Sequence, residues 1–346
     1  MTVDVAVLGV GVMGAAVARA LARAGRDVLM LEQFEVGHTR GSSHGRSRVF
    51  RFSYDDPIYV RMAREALPLW RELEDEAGDS LLSVTGGLDH GPMVDTIVEA
   101  LRADAVDFEI IDGAEAMRRY PVVSLPRDER VVFQKDAGFL AADEAWKALA
   151  ESAVRHGADL REAVMVEAVR PSGERVEIAT SSGTHLARIA VVTAGGWARS
   201  LLAGAGIELP VTPTRETVAY CQIEEGVEVP IVLDWRDPVA YALPSPGQGI
   251  KTAEHHAGPP TDPENEGTPS EESLARLKSW VAERFPSAAP TPHHVETCIY
   301  TNTTDDSFVL ERHGPIVVGS PCSGHGFKFA PLIGERLAAL VSAAAS

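Results

Sequence analysis

Two segments near the C-terminal end hold residue types that could do chemistry together. Cys298-Ile299-Tyr300-Thr301-Asn302-Thr303 offers a thiol and a phenol, and Ser323-Gly324-His325-Gly326-Phe327-Lys328-Phe329 offers a lysine among small residues. At the other end of the chain, Gly9, Gly11 and Gly14 form a Gly-x-Gly-x-x-Gly turn. There Gly9 permits a tight strand-to-helix turn, Gly11 lets backbone approach a pyrophosphate, and Gly14 lets the helix pack on the strand. The helix start adds free N–H groups and a positive dipole end. Glu32 stands where a ribose hydroxyl would find an acceptor, and it disfavours a 2′-phosphate. FAD and NAD both satisfy this pattern.

A third group lies in residues 37–51, a Gly/Ser/His/Arg-rich loop with His44 and with Arg40, Arg46, Arg48 and Arg51. Residues three apart do not share a strand face, so Arg48 and Arg51 should serve different groups. A fourth is Lys251 with His255, four residues on. Singly, each has a plainer reading. Lys251 reads as a surface lysine and Lys328 as a lysine snorkelling from a strand. Cys298 reads as a small buried hydrophobe, Tyr241 and Tyr300 as strand packing, and the arginine loop as a solvated basic loop. The adjacent His293 and His294 repeat no ligand spacing, so no metal site is read. There is no Gly-x-Ser-x-Gly nucleophile elbow.

The elements that must position these residues alternate. Residues 4–8 are an apolar, β-branched run, expected as a buried parallel strand. A helix over 13–24 ending at Gly25 and a strand over 27–31 complete one β-α-β unit. A helix is expected over 57–77, with Pro68 as a possible kink, and another over 146–157. Strands are expected over 160–169, 176–180 and 187–192, the last running into Gly195-Gly196. Short strands dominate 211–300, interrupted by a helix over 270–285, for which Thr268-Pro269-Ser270-Glu271 supplies a capping box with proline at the first helical position. The acidic, proline-rich stretch 259–272 reads as a surface loop. A core strand over 316–318 and a helix over 332–341 close the chain. The fold class is therefore α/β plus α+β. A discontinuous dinucleotide domain (1–78, 146–208 and 309–346) carries an inserted, mainly antiparallel β-sheet domain (79–145 and 209–308) for the substrate.

Composition bounds the function. The 346 residues suffice for about two domains with full cores. A net charge of −18 argues against nucleic acid or an anionic membrane as partner. Three cysteines, Cys221, Cys298 and Cys322, form no C-x-x-C pair and point to a reducing compartment. The apolar N-terminal run carries Asp4, Arg19 and Arg23, so it reads as strand and helix rather than as a signal peptide. The terminal Ala-Ala-Ser is no peroxisomal address, and cytoplasm is the expected location.

Together these residues resemble the monomeric sarcosine oxidase and N-methyltryptophan oxidase family of amine-oxidising flavoproteins, from the first strand to about Leu340. The resemblance implies a Rossmann-like FAD-binding domain, with Gly195 in a second FAD-contacting turn and Gly324 and Gly326 beside the flavin. It implies that Arg51 and Lys328 hold a substrate carboxylate, an arginine fork matching two carboxylate oxygens. Arg48 and His44 would lie close to the isoalloxazine ring, with Lys251 and His255 flanking it. Tyr241 and Tyr300 would line the substrate pocket. Cys298 matches a cysteine that forms a thioether to the flavin; Cys322 is a second candidate. The implied reaction is oxidation of an N-methyl or cyclic secondary α-amino acid, with O2 reduced to H2O2 near Lys251 by a monomeric enzyme. Three departures bear on substrate preference. The loop between Tyr241 and Lys251 is one residue shorter than in the family, Pro321-Cys322 replaces larger residues, and the sequence stops at Ser346. Rival readings are a same-fold flavoprotein dehydrogenase, an NAD-dependent dehydrogenase, and a non-catalytic FAD-fold subunit.

Overall fold

The computed structural model describes residues 2–343. The reading of the terminal Ala-Ala-Ser falls outside that range. The first sheet is built on the apolar strand Thr2–Leu8, paired in parallel with Val28–Leu31 on one side and Gly183–Val192 on the other. Gly183–Val192 is ten residues long and divides its outer edge. Its first half pairs antiparallel with Arg175–Thr180, and its second half pairs in parallel with Ile316–Ser320. Asp159–Arg161 extends the other side of the sheet. The helix Val12–Arg23 follows the glycine turn, and Gly25 takes a positive φ of 75° just beyond its end. Rich in alanine, this helix is thin enough to be enclosed by Ala142–Arg155 and Ala330–Ser342. Arg19 on that helix is buried and ion-pairs with Glu76 at 2.7 Å.

The second sheet has eight strands. From one edge these are His294–Asn302, Thr212–Cys221, Gly249–Glu254, Ala240–Ser245, Ile231–Asp234, Gly87–His90, Arg130–Gln134 and Glu109–Asp112. All neighbours are antiparallel except Ile231–Asp234 and Gly87–His90, which run in parallel. The register places Tyr220 and Leu243 opposite Lys251, Tyr241 opposite Ala253, and Tyr300 opposite Thr214. With the two-residue period of a strand, one face therefore gathers Val218, Tyr220, Tyr241, Leu243, Lys251, Cys298 and Tyr300. Arg48–Phe50, Gly138–Leu140 and Leu82–Val84 form a third, three-stranded sheet.

Several local expectations need correction. Lys328 is not on a strand. Phe327–Phe329 is a 3-10 turn running into the helix Ala330–Ser342, so the small residues before it make a tight bend. The 270–285 helix is Glu271–Arg284, and its cap is Ser270, whose hydroxyl accepts from Ser273 N–H. Thr268 and Pro269 precede the helix, which leaves no capping box at Thr268. The strand expected over 160–169 is two strands, Asp159–Arg161 and Val166–Ser172. The helix expected from 146 begins at Ala142. Pro57–Ala77 is one helix, with Asp56 as its cap. Among the described residues no helix is long and apolar enough to cross a membrane.

Candidate active site

A cavity of about 630 Å³ runs from the glycine turn to the second sheet. Gly9, Gly11, Glu32 and Gly195 line one end, and Arg51, Trp235, Tyr241, His255, Tyr300 and Lys328 line the other. Arg48, His44, Lys251 and Cys298 lie along the same cavity, with Gly324 and Gly326 beside them. One space thus collects residues that are hundreds of positions apart in sequence.

The nucleotide end fits an extended dinucleotide. Gly9 has φ +89°, and a Cβ there would lie 2.8 Å from Ala194 Cα. A Cβ on Gly14 would lie 2.0 Å from Gly9 O. Both glycines are therefore demanded by the turn itself, which brings the helix N-terminus up to the cavity. Glu32 is buried and accepts from Val10 N–H at 2.8 Å and Phe34 N–H at 3.1 Å. Gly195 has φ +51° and open space where a Cβ would stand. The sequence did not single out Ser43, whose hydroxyl accepts from Val12 N–H at 2.9 Å. Nor did it single out Glu264, in the stretch read as a surface loop. That residue lines the cavity, accepts from Trp197 Nε1 at 2.5 Å, and takes Arg40 on its carbonyl at 2.8 Å.

At the other end are two buried basic side chains. Arg51 is 7% exposed and Lys328 4%. The Lys328 ammonium donates to Tyr54 OH and to His325 O, each at 2.7 Å. Burial, reinforced by the nearby Arg51, pushes the Lys328 amine well below its usual range. Among the described residues Arg51 has one hydrogen bond, to Ser53 Oγ at 3.4 Å, so most of its donors remain available. His255 is pushed down to about 3 by burial and by His256, Arg51 and Lys328. It is a neutral imidazole at ordinary pH. A Cβ on Gly324 would lie 2.2 Å from Tyr300 and 2.7 Å from His255, and one on Gly326 would lie 1.7 Å from Pro321 O. These two glycines serve protein packing first and a flat ligand only indirectly. Burial raises Tyr241 to about 12 and Tyr300 well above the usual phenol range.

Between the two ends stand Arg48, His44, Lys251 and the cysteines. Arg48 donates to the carbonyls of Ser42 (2.9 Å), His44 (2.6 Å) and Ser47 (3.0 Å). Its neighbours differ from those of Arg51, as the spacing required. His44 is lowered to about 4 by burial and Arg48, and its Nε2 has no partner among the described residues. Lys251 is 4% exposed, which corrects its plain reading as a surface lysine. Its ammonium donates to Ser47 O at 3.3 Å. Burial and Arg48 lower it to about 7, against the opposing pull of Cys298, Glu296 and Asp143. Glu296, also absent from the sequence reading, accepts from Tyr220 OH at 2.6 Å. With His44 and Tyr220 it lines a second cavity, of about 810 Å³. Cys298 is buried and faces the first cavity. Cys322 also lines it, but burial raises its thiol and its sulfur accepts from Thr301 N–H at 3.2 Å.

Comparisons with known proteins give the family and the fold. The family model described as FAD dependent oxidoreductase matches residues 4–340. Peroxisomal sarcosine oxidase of Homo sapiens is 34% identical, over 96% of this chain and 90% of the relative. Monomeric sarcosine oxidase of Bacillus sp. (strain NS-129) is 31% identical, over 98% of this chain and 92% of the relative. Among solved structures, the open form of NikD, an unusual amino acid oxidase essential for nikkomycin biosynthesis, is similar with a TM-score of 0.90 and 27% identity. That match covers 100% of this chain and 95% of NikD.

Proposed function

The chain belongs to the FAD-dependent oxidoreductase family, and we propose that it oxidises the C–N bond of an N-methyl or cyclic secondary α-amino acid, with O2 reduced to H2O2. The observation that carries this reading is the pair of buried basic side chains, Arg51 and Lys328, at the far end of a cavity that begins at a dinucleotide turn. A buried guanidinium with one weak protein acceptor, beside a lysine that an anion would charge, calls for an anion, and an α-carboxylate supplies one. The names of the full-length relatives support an amino-acid substrate.

Gly9, Gly11, the start of Val12–Arg23, Glu32 and Gly195 would hold the FAD, with Arg48, His44 and Cys298 along its flavin end. When bound, FAD supplies the two-electron acceptor for the C–N bond. Arg51 and Lys328 orient the substrate by its carboxylate. The walls Val239, Leu243, Tyr241 and Tyr300 leave little water beside the reacting carbon. Burial, with Arg51 and Lys328 close by, keeps His255 neutral and likewise disfavours a protonated substrate amine beside it. Water then hydrolyses the product imine to an aldehyde and an amine, or the imine of a cyclic substrate opens. Lys251 presents a cation where negative charge develops on O2. Cys298 is the attachment point of a covalent flavin; both cysteines line the cavity, but the Cys322 thiol is raised by burial and its sulfur already accepts from Thr301 N–H, which supports Cys298.

The domain division made from the sequence belongs to the same proposal. Every strand of the first sheet falls within 1–78, 146–208 and 309–346, and every strand of the second within 79–145 and 209–308, which supports it. A monomeric state and a cytoplasmic location belong to the same proposal.

The test is anaerobic mixing of the yellow protein with sarcosine, N-methyl amino acids, proline and pipecolate. Bleaching by one of them, with none by the matching amine that lacks a carboxylate, is the expected result. Equal bleaching by both would remove the carboxylate anchor, and turnover in air without H2O2 would favour a dehydrogenase.

A further inference from the structure

Arg51 is flanked by two aromatic rings. Its guanidinium carbon lies 4.1 Å from the centroid of Tyr54 and 5.1 Å from that of Trp235. Aromatic faces stabilise a buried cation without offering a lone pair that would compete with a carboxylate for its N–H groups. Tyr54 also contacts the other basic side chain, with Lys328 Nζ 5.3 Å from its ring centroid. Trp235 is different. It comes from the second sheet, just past the strand Ile231–Asp234, and its ring lines the cavity beside Arg51.

The indole is held from behind. Trp235 Nε1 donates to Asp89 Oδ1 at 2.9 Å, and Trp235 N–H donates to His90 O at 2.9 Å. Asp89 is fully buried on Gly87–His90, the strand paired in parallel with Ile231–Asp234, and it does not border the cavity. Its other oxygen has no partner among the described residues, and burial raises the carboxyl while Arg51 opposes that shift. Arg51 and Ser53 also act on this carboxylate, but its short hydrogen bond, at 2.9 Å, goes to the indole, and that contact fixes where the ring stands.

We propose that Trp235 is the specificity-determining wall of the carboxylate site, that Asp89 is its positioning residue, and that together they restrict the substrate to α-amino acids with no large substituent on the carbon bearing the carboxylate. The proposal deepens the reading of Arg51 as the carboxylate anchor and rests on it. Because the indole fills the space beside the guanidinium, a carboxylate docked on Arg51 brings its own α-substituent against that ring. N-methylglycine and small cyclic amino acids fit. N-methyl amino acids with aromatic or branched side chains do not.

The experiment uses the holoenzyme and the ligands acetate and phenylacetate, with affinities read by calorimetry, together with KM and kcat for sarcosine and N-methylphenylalanine. Wild type is expected to bind acetate more tightly than phenylacetate. Trp235→Ala should narrow or reverse that preference by about tenfold and raise KM for sarcosine more than it lowers kcat. Asp89→Ala should shift the preference in the same direction. Asp89→Asn, which keeps an acceptor for the indole N–H, should restore it, and Trp235→Phe should lie between. Arg51→Met separates the two readings. If it leaves acetate affinity unchanged, the anchor itself is wrong. If it abolishes acetate binding while Trp235→Ala and Trp235→Phe keep the wild-type preference, the anchor stands and the proposed wall falls. Should Asp89→Ala fail to fold, Asp89→Asn and the two Trp235 variants decide the matter alone.

Discussion

Two lysines, Lys251 and Lys328, are equally buried at 4% exposure and border the same cavity, yet their surroundings make them different instruments. Lys328 is tied by two 2.7 Å hydrogen bonds, and the charged group that acts on it is the like-charged Arg51. Among the described residues no carboxylate pairs with Lys328, and the buried Asp89 acts on Arg51, so a positive charge on Lys328 is met only when an anion arrives. Lys251 has one long hydrogen bond, 3.3 Å, and faces Glu296, Asp143 and Cys298 as well as Arg48. Its compensation is built into the protein. A lysine that awaits an anion suits substrate capture; a lysine already balanced near neutrality suits a charge that develops during reaction. The shared burial sets the cost of charging both, and the neighbours decide when that cost is met.

The sharpest way to break this contrast is to remove Lys251. Lys251→Met should slow flavin reoxidation by O2 about 100-fold or more, the scale of losing one preorganised electrostatic donor. Stopped-flow mixing of the reduced enzyme with oxygenated buffer measures it. Lys328→Met should instead raise KM for the amino acid by about 30-fold, as expected for truncating one partner of a buried charge pair.

The titration of the two lysines should also part. An anion bound beside Lys328 favours its charged form, so acetate binding should take up a proton and weaken as pH rises. Calorimetry in buffers of different ionisation enthalpy reads that uptake directly, and proton release would contradict it. Lys251 is lowered to about 7, so a reoxidation rate that needs its cation should fall as pH rises through about 7. Glu296 is one of the groups holding that value up, and Glu296→Gln should move the midpoint to lower pH by about a unit or less. The smallest effect concerns Cys298. Cys298→Ser should transfer the yellow colour from the acid-precipitated pellet to the supernatant while the folded protein still binds FAD.

Much of the site was legible in the sequence because it depends on local pattern. The glycine turn, Glu32 and the helix behind them follow from short-range geometry, and the period of a strand already puts Cys298 and Tyr300 on one face. The two lysines were not legible in this way. Burial is decided by what the rest of the chain stacks around a residue, so Lys251 and Lys328 each carried a plainer reading that only the resemblance displaced. The turn at Lys328 was misread because small residues serve a tight bend as well as they serve an extended strand. Ser270 rather than Thr268 caps its helix because Pro269 lies outside the helix, and proline position alone does not say on which side of the cap it falls. Asp89, Trp235 and Glu296 gave no signal. Asp89 meets Trp235 only through the parallel pairing of strands far apart in sequence, and Glu296 becomes notable only once Tyr220 bonds to it.

The division of labour between the lysines is tested most directly by measuring the two half-reactions separately in Lys251→Met and Lys328→Met. Anaerobic reduction by the amino acid and reoxidation by O2 are each followed at the flavin absorbance. The account predicts that Lys251→Met slows reoxidation and leaves reduction near wild type, whereas Lys328→Met weakens substrate binding during reduction and leaves reoxidation near wild type. Equal loss in both steps for either variant would contradict it.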